Sequence, residues 1–113
     1  MQLVQLGHRL TRLTGDRQYS ERAGRVWAWV RGAGLLNMTS YQVRAACSLQ
    51  QHCSRWPLQV YDGVSLASCR VNTNQTFTYT AGTLVGGLVE WYRLDHNSSH
   101  LELAHNIASS VIR

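Results

Sequence analysis

Leu3, Leu6, Leu10 and Leu13 recur at spacings of three and four residues. Residues so spaced share one face of a 3.6-residue helix, which predicts an amphipathic helix over about residues 2–14 with the leucines on one face. Gly15 follows as a C-terminal cap. The helix begins almost at Met1, without a capping side chain to meet its first amides. A second helix is predicted over 17–33. Asp16 at its start offers a carboxylate to free amides and to the positive end of the helix dipole. Tyr19, Ala23, Val26, Trp27 and Val30 form its apolar stripe, and Gly34 stops it. Trp27 and Trp29 point in different directions, so this helix is expected to be buried on more than one side.

Residues 35–77 follow neither the helical nor the strand period. A short helix is expected over 41–49, an extended piece at Val60-Tyr61 and a turn at Asp62-Gly63. Irregular segments of this length tend to carry function. The helical pattern resumes over 80–94, marked by Leu84, Leu88, Trp91 and Tyr92. It returns again over 100–112, marked by Leu101, Ala104, Ile107, Ala108 and Val111. Ser99 and Glu102 have the spacing of a capping box. Gly82, Gly86 and Gly87 lie in the third helix, where each costs about 1 kcal/mol relative to alanine. Three together predict close approach by another backbone or by a ligand.

The two helix pairs superpose on a shift of 81 residues. Arg12-Leu13 falls on Arg93-Leu94, and Thr14-Gly15-Asp16 on Asp95-His96-Asn97. Glu21 falls on Glu102, Ala23 on Ala104, Val26 on Ile107 and Val30 on Val111. The chain is thus read as a helix hairpin over 2–34, an irregular cysteine-containing segment over 35–77 and a second hairpin over 80–112. Repeated hairpins that cannot bury both faces alone are characteristic of solenoids and helical toroids.

Composition changes this picture in a few places. With 113 residues, 44% of them hydrophobic, the chain can build one modest core and is not a disordered tail. It has no apolar run long enough to span a bilayer. All 11 basic side chains are arginines and the net charge is +5. They are spread around the helices rather than clustered in a nucleic-acid reader motif, so nucleic acid is not an expected partner. Cys47, Cys53 and Cys69 lack metal or redox spacing and are candidates for loop disulfides. Asn37, Asn74 and Asn97 each begin an Asn-x-Ser/Thr sequon in an expected loop. Sequons and loop cysteines together favour a secreted or cell-surface parent. The chain carries no signal peptide, so an N-terminal part is expected to be missing and any membrane anchor to belong to the parent.

Leu13-Thr14-Gly15-Asp16, Tyr19 and the Val26-Trp27-Ala28-Trp29 run resemble the helix hairpin of glycoside hydrolase family 76, and Asp62-Gly63 is similar to that family's Asp-Gly turn. Thr78-Tyr79-Thr80-Ala81-Gly82, followed by Leu84 and Gly86-Gly87-Leu88, resembles its Thr-Tyr-Asn-Gln-Gly motif. Leu101-Glu102-Leu103-Ala104 with Ile107-Ala108 and Val111 is similar to the hairpin that follows. The resemblance implies an all-α fold made of helix hairpins of an (α/α)6 toroid, of which this chain would supply roughly one third. It implies a parent acting on α-1,6-mannan in fungal cell-wall metabolism, as an endo-mannosidase or a transglycosidase, without a cofactor. The family's chemistry rests on an adjacent Asp-Asp pair. Here the acids are Asp16, Glu21, Asp62, Glu90, Asp95 and Glu102, no two adjacent, and the family's Asn-Gln is Thr80-Ala81.

Glycoside hydrolysis needs two carboxyls, about 5 Å apart when retaining and about 6.5–9.5 Å apart when inverting. Asp16 and Asp95 read as turn and cap residues, Glu21 and Glu102 as first-turn residues favoured by the dipole, and Glu90 as a pairing or solvent residue. Asp62 is the acid best placed for a cleft, with a turn-stabilising role as its rival. Phe77 and Tyr79 offer faces on which sugar rings stack, and Thr78 and Thr80 offer hydroxyls. Their alternative is that the aromatics are core and a threonine caps the helix. His96 and His100, four apart, straddle a turn and carry no zinc expectation. No catalytic residue is assigned and the chain alone is expected to be inactive. The rival readings are another (α/α)6 sugar enzyme, an epimerase or glucuronyl hydrolase, and a non-catalytic helical-repeat binding module.

Overall fold

In the computed structural model, residues 1–37, 58–73 and 76–112 are described. The expected helix over 41–49 lies outside them, as do Cys47, Cys53, Pro57 and the sequon residue Asn74. The elements are α1 (Gln2–Thr14), α2 (Gln18–Gly32), β1 (Leu36–Asn37), β2 (Gln59–Val60), α3 (Thr78–Asp95) and α4 (Ser98–Val111). The fold is mainly helical, with four helices packed in pairs.

The 81-residue repeat reappears in the turns atom for atom. The amide of Gly15 bonds to Thr11 O at 2.8 Å, and that of His96 to Tyr92 O at 2.8 Å. Gly15 and His96 both adopt the left-handed conformation, at φ 77° and 55°. The Asp16 amide donates to Thr14 Oγ1, as the Asn97 amide donates to Asp95 Oδ1. Asp16 Oδ1 then accepts from the Gln18 amide at 2.9 Å, as Asn97 Oδ1 accepts from the Ser99 amide at 3.1 Å. Each pair of partners differs by the same 81 positions. Asn97, not Ser99, is therefore the cap of α4, and the capping box read from Ser99 and Glu102 is corrected: the residue two positions earlier holds the extended backbone that a cap requires.

Helices α1 and α2 are antiparallel, with Gly7 against Tyr19 and Ala23 and Thr11 Oγ1 accepting from the Ser20 amide. Helices α1 and α3 run parallel: Val4 lies against Gly87, and His8 stacks on Trp91. Among the three glycines of α3, the expected close approach holds for Gly86 and Gly87, which meet Gln5 and Val4, but not for Gly82, which has open space around it. Arg12 of α1 reaches Glu90 of α3 at 3.1 Å, and Arg93 holds the other carboxylate oxygen at 2.9 Å.

The core is built from Val4, Val30, Leu84, Leu88 and Ile107, all fully buried, each worth about 1.5–3 kcal/mol of transfer free energy. Leu35, Leu36, Leu58, Val60 and Tyr61 extend it beneath the irregular segment. There β1 and β2 pair antiparallel, Leu36 opposite Val60, and isolated bridges join Tyr61 to Thr76 and Val64 to Val71.

The leucine stripe of α1 turns away from the other helices. Leu3, Leu6 and Leu13 are 62%, 51% and 66% exposed, while Val4, Gly7, His8 and Thr11 face the other helices. Small and β-branched residues let α2 and α3 approach closely, and the larger leucines are left outside. Trp29 is likewise exposed, so α2 buries one side rather than several. Tyr19, Leu101 and Val111, expected on inward stripes, lie at the edge of exposure.

Candidate functional site

Tyr61 is anchored three ways: its amide donates to Leu35 O at 2.8 Å, its hydroxyl donates to Gln59 Oε1 at 2.8 Å, and its backbone bridges to Thr76. Asp62 therefore leaves a fixed point. Phe77 takes an extended conformation just before α3, and Tyr79 sits in the first turn of that helix. The Tyr79 hydroxyl donates to Asp62 Oδ1 at 2.6 Å. The rings of Phe77 and Tyr79 stack at 5.5 Å and 28°. Both are open to solvent, at 42% and 57% exposure, so the alternative that they are core residues does not hold.

The hydrogen bond that the Tyr79 hydroxyl donates to Asp62, with that carboxylate's negative charge, holds the phenol above its ordinary pKa, because a phenolate beside a carboxylate is disfavoured. The edge thus presents an apolar double ring next to a carboxylate with a second oxygen to spare. A carboxylate is acceptor-only, and sugar hydroxyls are donors.

Five candidates were named from the sequence, and three come together here: Asp62, Phe77 and Tyr79. Thr78 is exposed and lines a neighbouring hollow of about 220 Å³ with Phe77, Leu58 and Ser110. Thr80 is corrected. It is buried, and its hydroxyl donates to Phe77 O at 2.6 Å, so it ties down the helix start.

Asp62 also lines a cleft of about 360 Å³ with Ser65, Ser68, Arg70 and Asn72. Through Val71 and Thr73 this cleft shares its wall with a hollow of about 800 Å³ lined by Trp27, Arg31, Leu36 and Tyr61. Sequence patterning did not single out this trough, because it joins residues from α2, β1 and the irregular segment that no local period connects. Cys69 is exposed; its candidate partners Cys47 and Cys53 lie outside the described residues.

A second cluster also escaped the sequence reading. Trp91 lies between His8, at 4.6 Å, and His100, at 4.4 Å, in a three-ring stack. His100 Nε2 lies 3.0 Å from Asp95 Oδ2. Partial burial opposes the charge of Asp95, but the Asn97 amide and His100 outweigh it and keep the carboxyl below its usual range. His8 is fully buried, and among the described residues neither ring nitrogen has a partner. Burial, aided by His100, lowers its pKa. Of the two histidines weighed as metal ligands, His96 closes the turn and His100 is paired to Asp95. Among the described residues, no three His, Cys, Asp or Glu side chains gather as a metal site would need. No helix there is long and apolar enough to cross a membrane.

Comparison with known proteins gives this geometry its context. A Schizosaccharomyces pombe relative is 30% identical over 98 residues, which is 86% of this chain and 18% of that protein. The mannan endo-1,6-alpha-mannosidase DCW1 of Candida albicans is 32% identical over 91 residues, 80% of this chain and 17% of its own length. Its namesake in Saccharomyces cerevisiae is 30% identical over the same shares. The chain thus spans less than a fifth of the length of the curated relatives it matches. No solved structure matches it. The sequence profile of glycosyl hydrolase family 76 matches residues 1–113, the whole chain. By that match, and by relatives that align along most of its length, the chain belongs to glycosyl hydrolase family 76.

Proposed function

We propose that this chain is a segment of an α-1,6-mannan-acting glycoside hydrolase, in which Asp62, Phe77 and Tyr79 form a sugar-contacting edge and the catalytic carboxylate pair comes from elsewhere in the protein. The observation that carries the site reading is the exposed Phe77–Tyr79 ring pair beside the Asp62 carboxylate. The reacting acids are not in this chain: Asp16 caps, Glu90 is held by two arginines and Asp95 is paired with His100. Alone, it is inactive.

The parent fold is a toroid of such hairpins, and the repeat supports this. Shifted by 81 residues, Leu3, Leu6, Leu10 and Leu13 become Leu84, Gly87, Trp91 and Leu94. Those four are buried or half-buried in α3, where Gly87 and Trp91 receive Val4 and His8 of α1. The exposed leucine stripe of α1 is therefore the surface on which the equivalent helix of a further hairpin would lie. The parent is a secreted or cell-surface protein, consistent with three sequons in one short chain.

Two measurements test the proposal. Incubation of the purified chain with linear α-1,6-mannan should release no oligosaccharide; release would overturn the assignment of the carboxylate pair to another segment. Titration with α-1,6-linked mannooligosaccharides, followed by aromatic NMR shifts, should move Phe77 and Tyr79 in the wild type. Tyr79→Ala should abolish the response at Phe77. Unperturbed rings at saturating sugar would remove the sugar-contacting role.

A further inference from the structure

Asn97 begins the sequon Asn97-Ser98-Ser99 and is exposed at the turn between α3 and α4. Its side-chain amide is divided between two tasks. Oδ1 accepts the Ser99 amide at 3.1 Å and caps α4. Nδ2, the atom that an N-linked glycan would use, makes no hydrogen bond among the described residues. A glycosylated asparagine keeps its carbonyl oxygen, so attachment at Nδ2 leaves the cap in place. Asn37 is placed differently: it is half-buried in β1, paired in register with Gln59.

From this division we infer that Asn97 is an N-glycosylation site that the finished fold accommodates without rearrangement. In the transfer, a bond forms between Asn97 Nδ2 and the anomeric carbon of a lipid-linked oligosaccharide diphosphate. The bond from that carbon to the diphosphate oxygen breaks, one amide proton is lost, and the lipid diphosphate leaves. The glycan would stand at the far end of α3 from the Asp62 edge. Eighteen helical residues separate the two ends, about 27 Å at 1.5 Å per residue, so its attachment point stands away from the candidate sugar site.

The repeat supplies a clean variant. Asp16, the counterpart of Asn97, caps α2 through the same oxygen to the same relative amide. Asn97→Asp therefore removes the acceptor nitrogen and keeps the cap. Ser99→Ala removes the sequon hydroxyl and keeps the amide that the cap binds. The full chain, translated behind a cleavable leader into microsomes, should carry one glycan more than either variant by gel mobility. Glycosidase release in heavy-oxygen water should label residue 97. The inference rests on the proposed secretory route only for where the transfer occurs. Because microsomes supply that route, a failure here counts against Asn97 and not against export. An unlabelled residue 97, or variants with an unchanged glycan count, would overturn the site. A melting temperature that rises clearly when the glycan is removed would overturn the claim that the fold accommodates it.

Discussion

Gly7→Ala should destabilise the chain although alanine is the better helix former. A Cβ built at Gly7 would lie 2.6 Å from the Tyr19 carbonyl oxygen and 2.7 Å from Ala23 Cβ. One neighbour is backbone and the other a single methyl, so neither can swing aside; α1 and α2 must move apart. Forcing one extra carbon into a packed contact costs about 1–3 kcal/mol, and the rigidity of both neighbours puts this case near the upper end. The helix gains about 1 kcal/mol in propensity, leaving a net loss of about 2 kcal/mol. That corresponds to roughly 10 °C in melting temperature for a domain of this size. Gly24→Ala and Gly82→Ala change the same atoms in open space, with nothing within 4 Å. Each should gain up to about 1 kcal/mol. At Gly86 the added carbon meets the flexible end of Gln5, so Gly86→Ala should fall between the two extremes. Urea unfolding of the four variants gives the order directly. A Gly7→Ala chain as stable as the wild type would refute the close α1–α2 approach on which the hairpin rests.

Stability should fall on acidification below about pH 6.5, the ordinary histidine pKa, because unfolded His8 binds a proton more readily than buried His8 does. The loss should proceed as pH drops from that value towards the lowered folded pKa, with full stability above it. Melting curves at about pH 7.5 and about pH 5 measure the difference, which His8→Phe should shrink; an equal drop in wild type and variant would exclude His8 as its source. The groups facing this imidazole are His100, Asp95 and Glu90, the last neutralised by Arg12 and Arg93. Glu90→Gln should cost about 1–2 kcal/mol. This is less than for a fully buried pair, because both arginines are partly exposed and can turn to water. Denaturant midpoints check this, and a neutral result would mean that the triad adds nothing to the α1–α3 junction. Leu6→Ala should stay within about 0.5 kcal/mol of wild type, whereas Leu84→Ala should lose about 2–5 kcal/mol. Equal losses would return the α1 leucines to the core.

Local physics made some of this legible in the sequence and left the rest hidden. The αL caps and the Asp16 turn were readable because a turn is settled by a few adjacent residues, and the 81-residue shift carried the same solution to His96 and Asn97. The Tyr79–Asp62 bond was not readable, although both residues were candidates. Two residues 17 positions apart meet only because Tyr61 is pinned between Leu35 and Thr76. His8 was missed for a different reason: in a leucine-rich helix it looks like an interruption of the apolar face. In fact it marks the buried side, together with Val4, Gly7 and Thr11. A 3.6-residue period shows that a helix has an apolar stripe but does not name the neighbour that covers it. The repeat points to it, because Gly87 and Trp91, the α3 counterparts of Leu6 and Leu10, are the residues that meet Val4 and His8 of α1. On the proposed toroid the periodicity of α1 belongs to a contact with one more hairpin, while the smaller residues between the leucines carry the contacts seen here with α2 and α3.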